Sequence, residues 1–463
     1  MTSATTAAQS TTHLESFNPA TGELVGSVPV TPAAEIPAIV ARAREALKSW
    51  GSLSAQERAD IIRPAGQVLA DRADELGELL TREMGKPLAE GIGECRGTGE
   101  GLSEEVDEIA RAVAPETLEG EGVTTTLYHD PLGVCAAITP WNFPLAMPHW
   151  MTLPALVTGN TVVLKPSEQT PLIAQAYADV LNQFLPEGVL QVVHGADDQG
   201  KALVASDVDL IAFTGSKEVG QKIMAAAAGG LKRLILELGS KDPLIVLEGA
   251  DLDAAATFAA RNSFRNCGQV CVSTERIYVQ DSVKDAFMDK LIEQSRAYTV
   301  GDGMSEGAVI GPMISLEQKQ HVERQLADAI ARGARVIFGG EPRDGQFISP
   351  TVLDNVNHDM DIMRTETFGP VACVMGVKTT DEAVELANDS EYGLGGVVFG
   401  PEDQARAVAR RLNAAMVGVN RGLGGAPGSP WVGAKQSGYG YHSGPMGHRQ
   451  FCQVRVVSKP KGE

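Results

Sequence analysis

Apolar residues recur along the chain in alternating short runs and helical spacings, and this pattern predicts two α/β units. In the first unit the apolar runs, read as strands, are residues 161–164, 190–193, 210–213 and 234–238. Residues 171–185 and 216–228 have helical spacing between them. Strands that alternate with helices form a parallel, doubly wound sheet. Further strands at 244–247 and 277–279, with a helix at 252–262, predict a second α/β unit that extends to about residue 420.

The part of the chain before these units is predicted to be mainly helical. Apolar residues recur at helical spacing over residues 32–50 and 56–84. Residues 90–112 continue the pattern but are unusually acidic, which is typical of a solvated helix face. Residues 123–128 and 134–138 favour strands, with a turn between them. We interpret these strands as a hairpin outside the main sheet, whose edge could pair with another subunit.

Size and charge narrow the range of partners and compartments. The chain has 463 residues, which indicates two or three domains, and a formal net charge of -20. That charge argues against nucleic acid or an anionic membrane surface as a partner. No apolar run approaches the roughly 20 residues that span a bilayer. Residues 1–13 lack the features of a secretory signal, so we expect a disordered tail and a cytoplasmic protein.

The cysteines point to a reducing compartment and away from a metal site. There are six cysteines in the chain, too few for a disulfide framework. Cys267 and Cys271 could form half of a metal site, but no second Cys or His pair with ligand spacing follows them. We therefore expect no metal.

The segment SFRNCGQVCVSTER, residues 263–276, contains a candidate nucleophile. Cys271 follows a Gly-Gln pair and has Arg265 and Arg276 on either side. Nearby cations and backbone N–H groups favour the reactive thiolate. Taken alone, a free cysteine such as Cys267 or Cys271 is most often a small buried apolar residue, and that is the alternative interpretation of both. Four residues separate the two cysteines, so a reversible oxidative bridge that silences Cys271 is a further hypothesis.

Two other side chains have the properties of catalytic groups. Glu237 ends an apolar run and lies between two leucines, and burial raises the pKa of a carboxyl towards values suited to a general base. Asn142 lies in an aromatic loop, where its amide N–H could stabilise an oxyanion. An ordinary turn residue is the alternative interpretation of Asn142.

Several segments could bind a nucleotide. Gly215 and Ser216 stand where a strand meets a helix, and the free N–H groups of a helix N-terminus attract phosphate. Lys165 and Glu168 follow a strand at the edge of the sheet where ligands of open α/β folds bind. A carboxylate there accepts hydrogen bonds from ribose hydroxyls and repels a 2′-phosphate, which favours NAD over NADP. A tight turn and a surface ion pair are the alternatives, and Glu366 is similarly open between turn support and a ligand contact.

Together these segments resemble the aldehyde dehydrogenase superfamily over nearly the whole chain from Asn18 onward. Seven motifs occur in the family's order: PWNFP at 140–144, KPSE at 165–168, FTGS at 213–216, LELG at 236–239, GQVC at 268–271, ETFGP at 366–370 and KQSG at 435–438. The resemblance implies a Rossmann-like NAD domain, a catalytic α/β domain and a small β oligomerisation arm. It also implies a homodimer or homotetramer.

The implied domain boundaries follow the predicted elements. After the tail at 1–13, residues 14–114 and 134–236 would form the NAD-binding domain. Residues 237–438 would form the catalytic domain, and residues 115–133 and 439–463 the oligomerisation arm.

The resemblance also implies a role for each motif residue. Cys271 would be the nucleophile, Glu237 the general base, and Asn142 with the Cys271 backbone N–H the oxyanion hole. The implied cofactor contacts are Lys165, Glu168, Gly215, Ser216, Glu366, Phe368 and Trp141. The implied substrate tunnel is lined by Phe143, Met147, Trp150 and Trp431.

These roles describe oxidation of a small-molecule aldehyde to an acid through a cysteine thiohemiacetal and a thioester. Relatives that pass the acyl group to coenzyme A typically lack the glutamate at the position of Glu237, so its presence favours hydrolysis. NAD is the expected hydride acceptor, with NADP less favoured.

The chain departs from the family pattern at two places. Ser240 stands where Gly is usual, and the expected PFGG reads PWVG at 430–433. Members selective for succinate semialdehyde often have Arg at the position of Trp150, so the aromatic residue predicts an uncharged aliphatic or aromatic aldehyde. Arg421 could instead accept an anionic substrate. A semialdehyde dehydrogenase and a catalytically silent member of the fold remain the alternatives.

Overall fold

The computed structural model describes residues 12–461. The predicted disordered tail lies outside these residues except for its last two. His13 already begins a strand, His13–Phe17, which pairs with Leu24–Pro29. The tail was therefore predicted too long at this end.

A six-stranded sheet forms the first α/β unit. In spatial order its strands are Gly438–Tyr439, Arg233–Glu237, Leu210–Thr214, Val134–Ile138, Thr161–Lys165 and Leu190–Val192. All neighbours are parallel except Gly438–Tyr439, which comes from the C-terminal part of the chain and pairs antiparallel with Arg233–Glu237. Alternate residues of the strands face two different cores: Cys135 and Ala137 lie in one, and Val134 and Ala136 in the other. Both faces are covered, as expected for a doubly wound sheet.

A seven-stranded sheet forms the second unit. Its strands, in spatial order, are Arg335–Phe338, Thr351–Asp354, Val371–Val377, Thr274–Gln280, Asp242–Val246, Gly395–Phe399 and Met416–Val419. Only the first pair is antiparallel. The predicted α/β class with parallel sheets is confirmed.

A third sheet is small and antiparallel. Its strands are Cys452–Pro460, Val123–Pro131 and Glu116–Gly120. The predicted hairpin was therefore wrong in one partner, because Val134–Ile138 belongs to the six-stranded sheet. The hairpin joins Glu116–Gly120 to Val123–Pro131. Two short ribbons complete the strands: Tyr392–Gly393 with Ala434–Lys435, and Trp431–Val432 with Tyr441–His442.

The helices cover the faces of the two large sheets and form the N-terminal part of the chain. They are Ile36–Trp50, Ala55–Ile62, Pro64–Asp71, Ala73–Met84, Leu88–Ala112, Ala146–Val157, Pro171–Asn182, Asp197–Ala205, Lys217–Ala227, Leu252–Phe264, Asp281–Ser295, Leu316–Ala331, Thr380–Asn388, Glu402–Ala409 and Gly444–His448. The single pattern over residues 56–84 divides into three helices, since Pro64 has no N–H to continue the first and instead begins the second. Among residues 12–461, no helix is both long and apolar enough to cross a bilayer.

Candidate active site

Cys271 lies on the segment that precedes the central strand Thr274–Gln280 of the seven-stranded sheet. Before it, Asn266, Cys267 and Gly268 all have positive φ, and this left-handed turn is costly for side chains other than glycine. Gly268 is required by close approach as well, because a side chain there would overlap the backbone of Gly369. The turn brings Cys271 to the floor of a cavity of about 490 Å³.

Three residues fix the position of this segment through buried contacts. The Asn266 side chain donates hydrogen bonds to the carbonyl oxygens of Asn142 (3.1 Å) and Gln269 (3.2 Å). The Gln269 side chain donates to the Asn266 carbonyl and accepts from the Ile314 N–H at 3.0 Å. Cys267 is buried in the core of the seven-stranded sheet. Within the described chain both cysteines are free thiols.

Asn142 faces the same cavity from the other sheet. It lies after strand Val134–Ile138, and its side chain is only 3% exposed. One N–H of its amide donates to the Gln269 carbonyl at 3.1 Å. Because a primary amide has two N–H donors, one donor is left for an oxygen formed above Cys271.

Glu237 ends the edge-adjacent strand Arg233–Glu237 and is 4% exposed. Neither carboxylate oxygen has a hydrogen-bond partner within residues 12–461. Burial raises the pKa of Glu237 well above its ordinary value, and the Trp431 indole opposes this shift. A buried acid with no partner is available to take a proton from water once it is ionised.

The surroundings of Cys271 favour its thiol over the thiolate. Burial raises the pKa of this thiol, and the carboxylates of Glu237, Asp242 and Glu366 raise it further. From the sequence, the nearby Arg265 and Arg276 were expected to lower the pKa of the Cys271 thiol. The structure explains the difference, because Arg276 donates its hydrogen bonds to the carbonyls of Lys241, Leu386 and Ala387 instead.

Glu366 and Phe368 also line the Cys271 cavity. A Glu366 oxygen accepts from the Ser240 N–H at 2.7 Å. A Cβ at Gly239 would come within 2.4 Å of the Glu366 carboxylate, so a side chain there would displace that carboxylate from its present position. Burial, and then the charge of Glu275, raise the pKa of Glu366. Phe368 has φ 49° and meets Trp141 edge-on with ring centroids 5.5 Å apart.

A second cavity of about 540 Å³ continues from the first along the carboxyl ends of the six-stranded sheet. The two cavities share five lining residues and therefore form one elongated channel. The shared residues are Pro140, Trp141, Thr214, Gly215 and Ser216.

Lys165 and Glu168 line the far end of this channel. The Lys165 ammonium is buried, 3.7 Å from the Glu168 carboxylate, and burial lowers its pKa. Ser216 caps the helix Lys217–Ala227 by accepting from the Val219 N–H at 3.4 Å. A helix N-terminus, an ammonium and a carboxylate along one channel suit the phosphates and ribose of a dinucleotide.

The four residues predicted to line the substrate tunnel do not all meet. Met147 lines the Cys271 cavity, and Trp431 lies beside Glu237. Phe143 and Trp150 line a separate cavity of about 370 Å³. Trp150 stacks on His442 with ring centroids 6.3 Å apart. Arg421 is exposed on its loop.

Sequence reasoning missed the groups that hold the site together. Gln318 and His321 line the Cys271 cavity. Two buried ion pairs, Lys86–Glu94 and Lys241–Glu275, contact other residues that line it. No motif marks these residues, although a lysine between apolar neighbours in MGKPL was a weak signal of burial. Among the described residues, no group of three or more His, Cys, Asp or Glu side chains could hold a metal ion.

Known proteins are similar to this chain in sequence and in fold. The sequence profile of the aldehyde dehydrogenase family matches residues 5–457. Glutarate-semialdehyde dehydrogenase of Pseudomonas aeruginosa is 40% identical over 449 residues, which cover 95% of this chain and 92% of that protein. The chain therefore belongs to the aldehyde dehydrogenase family, and its named relatives are oxidoreductases.

Two further relatives carry different cofactor names. Succinate-semialdehyde dehydrogenase [NADP(+)] of Escherichia coli is 38% identical and covers 95% of this chain and 93% of that protein. The crystal structure of an NAD-dependent aldehyde dehydrogenase from Sinorhizobium meliloti superposes with a TM-score of 0.94 at 36% identity. That match covers 98% of this chain and 93% of the other.

Proposed function

We propose that this protein oxidises an aldehyde to a carboxylic acid with NAD as the hydride acceptor, through a covalent bond to Cys271. The observation that carries the proposal is that Cys271 and the Asn142 amide donor line one cavity, with the buried Glu237 carboxylate close enough to raise the pKa of the Cys271 thiol. The elongated channel that leads to this cavity supports a dinucleotide cofactor, which supplies the hydride acceptor when bound.

The chain's own residues account for the remaining steps. The Cys271 thiol loses its proton to water as its sulfur bonds to the aldehyde carbon. The electron pair of the C=O double bond moves to the oxygen, which accepts from the free Asn142 N–H and the Cys271 backbone N–H. Loss of hydride from that carbon leaves a thioester on Cys271. Glu237 then takes a proton from water, whose oxygen attacks the thioester, and the acid leaves as the thiol is restored.

The test of this assignment is Glu237→Gln. We expect one equivalent of NADH in a rapid burst and then little turnover, because the thioester forms but water is not activated. Steady-state turnover equal to that of the unchanged protein would contradict the role of Glu237. A pure, folded protein that makes no NADH from any aldehyde would instead support the catalytically silent alternative.

NAD is proposed over NADP because the Glu168 carboxylate lies at the far end of the channel, beside Lys165. A 2′-phosphate there would meet a like charge. Calorimetric titration should give a lower Kd for NAD than for NADP, and Glu168→Gln should narrow the difference. Equal affinities in the unchanged protein would overturn the preference.

For the substrate, we propose an uncharged aliphatic or aromatic aldehyde. Phe143, Met147 and Trp150 are apolar, and no arginine stands at the position of Trp150. The predicted tunnel would run from the 370 Å³ cavity past Phe143 to Cys271.

A second candidate substrate is an aldehyde with a distal carboxylate, and Arg265 is the observation that favours it. Its guanidinium lines the 370 Å³ cavity, donates no hydrogen bond to any described residue, and lies 3.6 Å from Glu90. Relatives named glutarate- and succinate-semialdehyde dehydrogenases point the same way.

Turnover of hexanal, benzaldehyde and succinate semialdehyde separates the two candidates. Preference for the first two supports the uncharged class. If succinate semialdehyde is preferred and Arg265→Met removes that preference while Arg421→Met does not, the second candidate is correct.

We further propose the domain boundaries given in the sequence analysis. We also propose a homodimer or homotetramer that assembles through the three-stranded sheet. Val454, Val456 and Val457 of its edge strand Cys452–Pro460 are exposed apolar residues, which supports this surface as an interface. Sedimentation of the protein, and of Val456→Lys, tests it. A monomer in the unchanged protein would contradict the proposal.

A further inference from the structure

The turn at residues 365–370, which we call the glutamate loop, carries two residues of the proposed cofactor site. Glu366 and Phe368 both line the Cys271 cavity. The loop belongs to no helix or strand, and Phe368 has φ 49°. A phenylalanine reaches this left-handed conformation only when its surroundings enforce it.

The surroundings that enforce it are a buried ion pair. The Glu275 carboxylate accepts from the Thr367 N–H at 2.8 Å and from the Phe368 N–H at 2.9 Å. The Lys241 ammonium donates to Glu275 at 2.5 Å and to the Thr367 hydroxyl at 2.8 Å. The Thr367 hydroxyl donates in turn to Gln325 at 2.7 Å. Each of these four residues is at most 2% exposed.

The position of the pair in the chain connects the loop to the reacting groups. Glu275 lies four residues after Cys271, at the start of strand Thr274–Gln280, and Lys241 lies four residues after Glu237, before strand Asp242–Val246. These strands are neighbours in the seven-stranded sheet. The pair therefore ties the glutamate loop to the two strands that begin just beyond the nucleophile and the base.

Stability alone is a poor explanation for such a pair. Removing two charges from water is costly, and an apolar pair of similar volume often stabilises a fold as well or better. Here both charged groups form hydrogen bonds to the same loop. An apolar pair would leave two backbone N–H groups of that loop without acceptors.

We propose that Lys241 and Glu275 are positioning residues for the cofactor: they hold the glutamate loop so that Glu366 and Phe368 face the channel. They act on cofactor affinity and hydride-transfer geometry, and leave the nucleophilicity of Cys271 and the action of Glu237 largely unchanged. This inference rests on the proposed function.

The test uses variants that differ in a single hydrogen-bonding group. Glu275→Gln keeps one acceptor oxygen but cannot accept from both backbone N–H groups. Thr367→Val removes the hydroxyl that bridges Lys241 and Gln325, whereas Thr367→Ser keeps it. Lys284→Met is the matched control, because Lys284, on helix Asp281–Ser295, pairs with Asp354 of the same sheet at 2.6 Å and makes no hydrogen bond to the loop among the described residues.

The first measurement is the Kd for NAD by calorimetry, and the second is cofactor-free acylation of Cys271 by p-nitrophenyl acetate. We expect Glu275→Gln and Thr367→Val to weaken NAD binding about tenfold, the effect of losing one strong hydrogen bond. Thr367→Ser and Lys284→Met should bind NAD within about twofold of the unchanged protein. Acylation should stay within about twofold in all four variants.

The results separate this inference from the proposed function. If NAD affinity is unchanged in both Glu275→Gln and Thr367→Val, or if acylation falls as much as affinity, the positioning role is wrong. If Glu275→Gln does not fold, the comparison of Thr367→Val with Thr367→Ser decides the question. If the unchanged protein binds NAD but is not acylated at Cys271, the proposed function fails while the affinity comparison still tests the loop.

Discussion

Two loops flank Cys271, and each rests on a buried lysine–glutamate pair, but the two pairs come from different parts of the fold. Residues 140–144, which we call the amide loop, carry Asn142. Beneath it, Lys86 and Glu94 are 2.6 Å apart and almost fully buried. The glutamate loop rests on Lys241 and Glu275, which belong to the same sheet as the nucleophile.

The amide loop is held from outside its own sheet. The Lys86 ammonium donates to the Asn142 carbonyl at 3.0 Å and lies 4.0 Å from the centre of the Phe143 ring. The Glu94 carboxylate accepts from the N–H groups of Leu145 and Ala146, where helix Ala146–Val157 begins. A negative charge at a helix N-terminus is favourable. The N-terminal helices therefore hold the proposed oxyanion donor, whereas the seven-stranded sheet holds the loop proposed to contact the cofactor.

The two loops of the proposed site are therefore held in place by different parts of the fold. Damage to the amide loop should slow the chemical step and leave cofactor affinity unchanged. Damage to the glutamate loop should weaken cofactor binding and leave acylation unchanged.

Cys271→Ala should have the largest effect, since both loops serve this one sulfur. We expect dehydrogenase turnover to fall about 10,000-fold or more, while the Kd for NAD stays close to that of the unchanged protein. Cys267→Ala is the control, because Cys267 is buried in the core and should leave most of the turnover. Comparable losses in both variants would show that the segment matters only as structure.

Asn142→Ala should lower kcat about a hundredfold to a thousandfold, the usual cost of removing one oxyanion donor. The Kd for NAD, measured in the absence of aldehyde, should not change. A large loss of NAD affinity in this variant would contradict the separation of the two loops.

The pH dependence of turnover should report Glu237. Burial raises the pKa of this acid, so it is protonated at low pH and cannot act as a base until the pH exceeds that pKa. Steady-state kcat should therefore rise with pH, by about tenfold per unit below the pKa. The NADH burst should keep its size over the same range, and a burst that falls with the same midpoint would contradict this assignment.

Glu94→Gln should have the smallest effect, a fall in kcat of about tenfold with normal NAD affinity, because one of several hydrogen bonds to the amide loop is weakened. If Glu94 acts through Asn142, the Asn142→Ala, Glu94→Gln double variant should lose little more than Asn142→Ala alone. Fully additive losses would mean that Glu94 acts elsewhere.

The fold was largely predictable because its signals are local. Alternating strands and helices predicted the parallel sheets, whose buried strands are apolar on both faces. The same rule explains why the predicted hairpin partner Val134–Ile138 was wrong. Val134–Ile138 reads VCAAI, without a single polar position, which is typical of a central parallel strand and not of an exposed hairpin.

The candidate site was predictable only in part. Cys271, Glu237 and Asn142 stand in motifs. Cys271 and Asn142 line one cavity, and the Glu237 carboxylate lies close enough to raise the pKa of the Cys271 thiol. Lys86, Glu94, Lys241 and Glu275 look like surface charges in the sequence, because partners far apart in the chain give no periodic signal. The location of Phe143 and Trp150 in a separate cavity also depends on tertiary packing that no local pattern encodes.

The strand Gly438–Tyr439 also bears on how the protein is made. It forms the edge beside Arg233–Glu237, and the ribbon that precedes it places Trp431 next to Glu237. A chain leaves the ribosome N-terminus first, so the nucleophile and base emerge long before the segment that encloses them. The proposed catalytic pocket is therefore completed only after residues 431–439 have been synthesised, so a nascent chain that ends before them lacks this wall of the pocket.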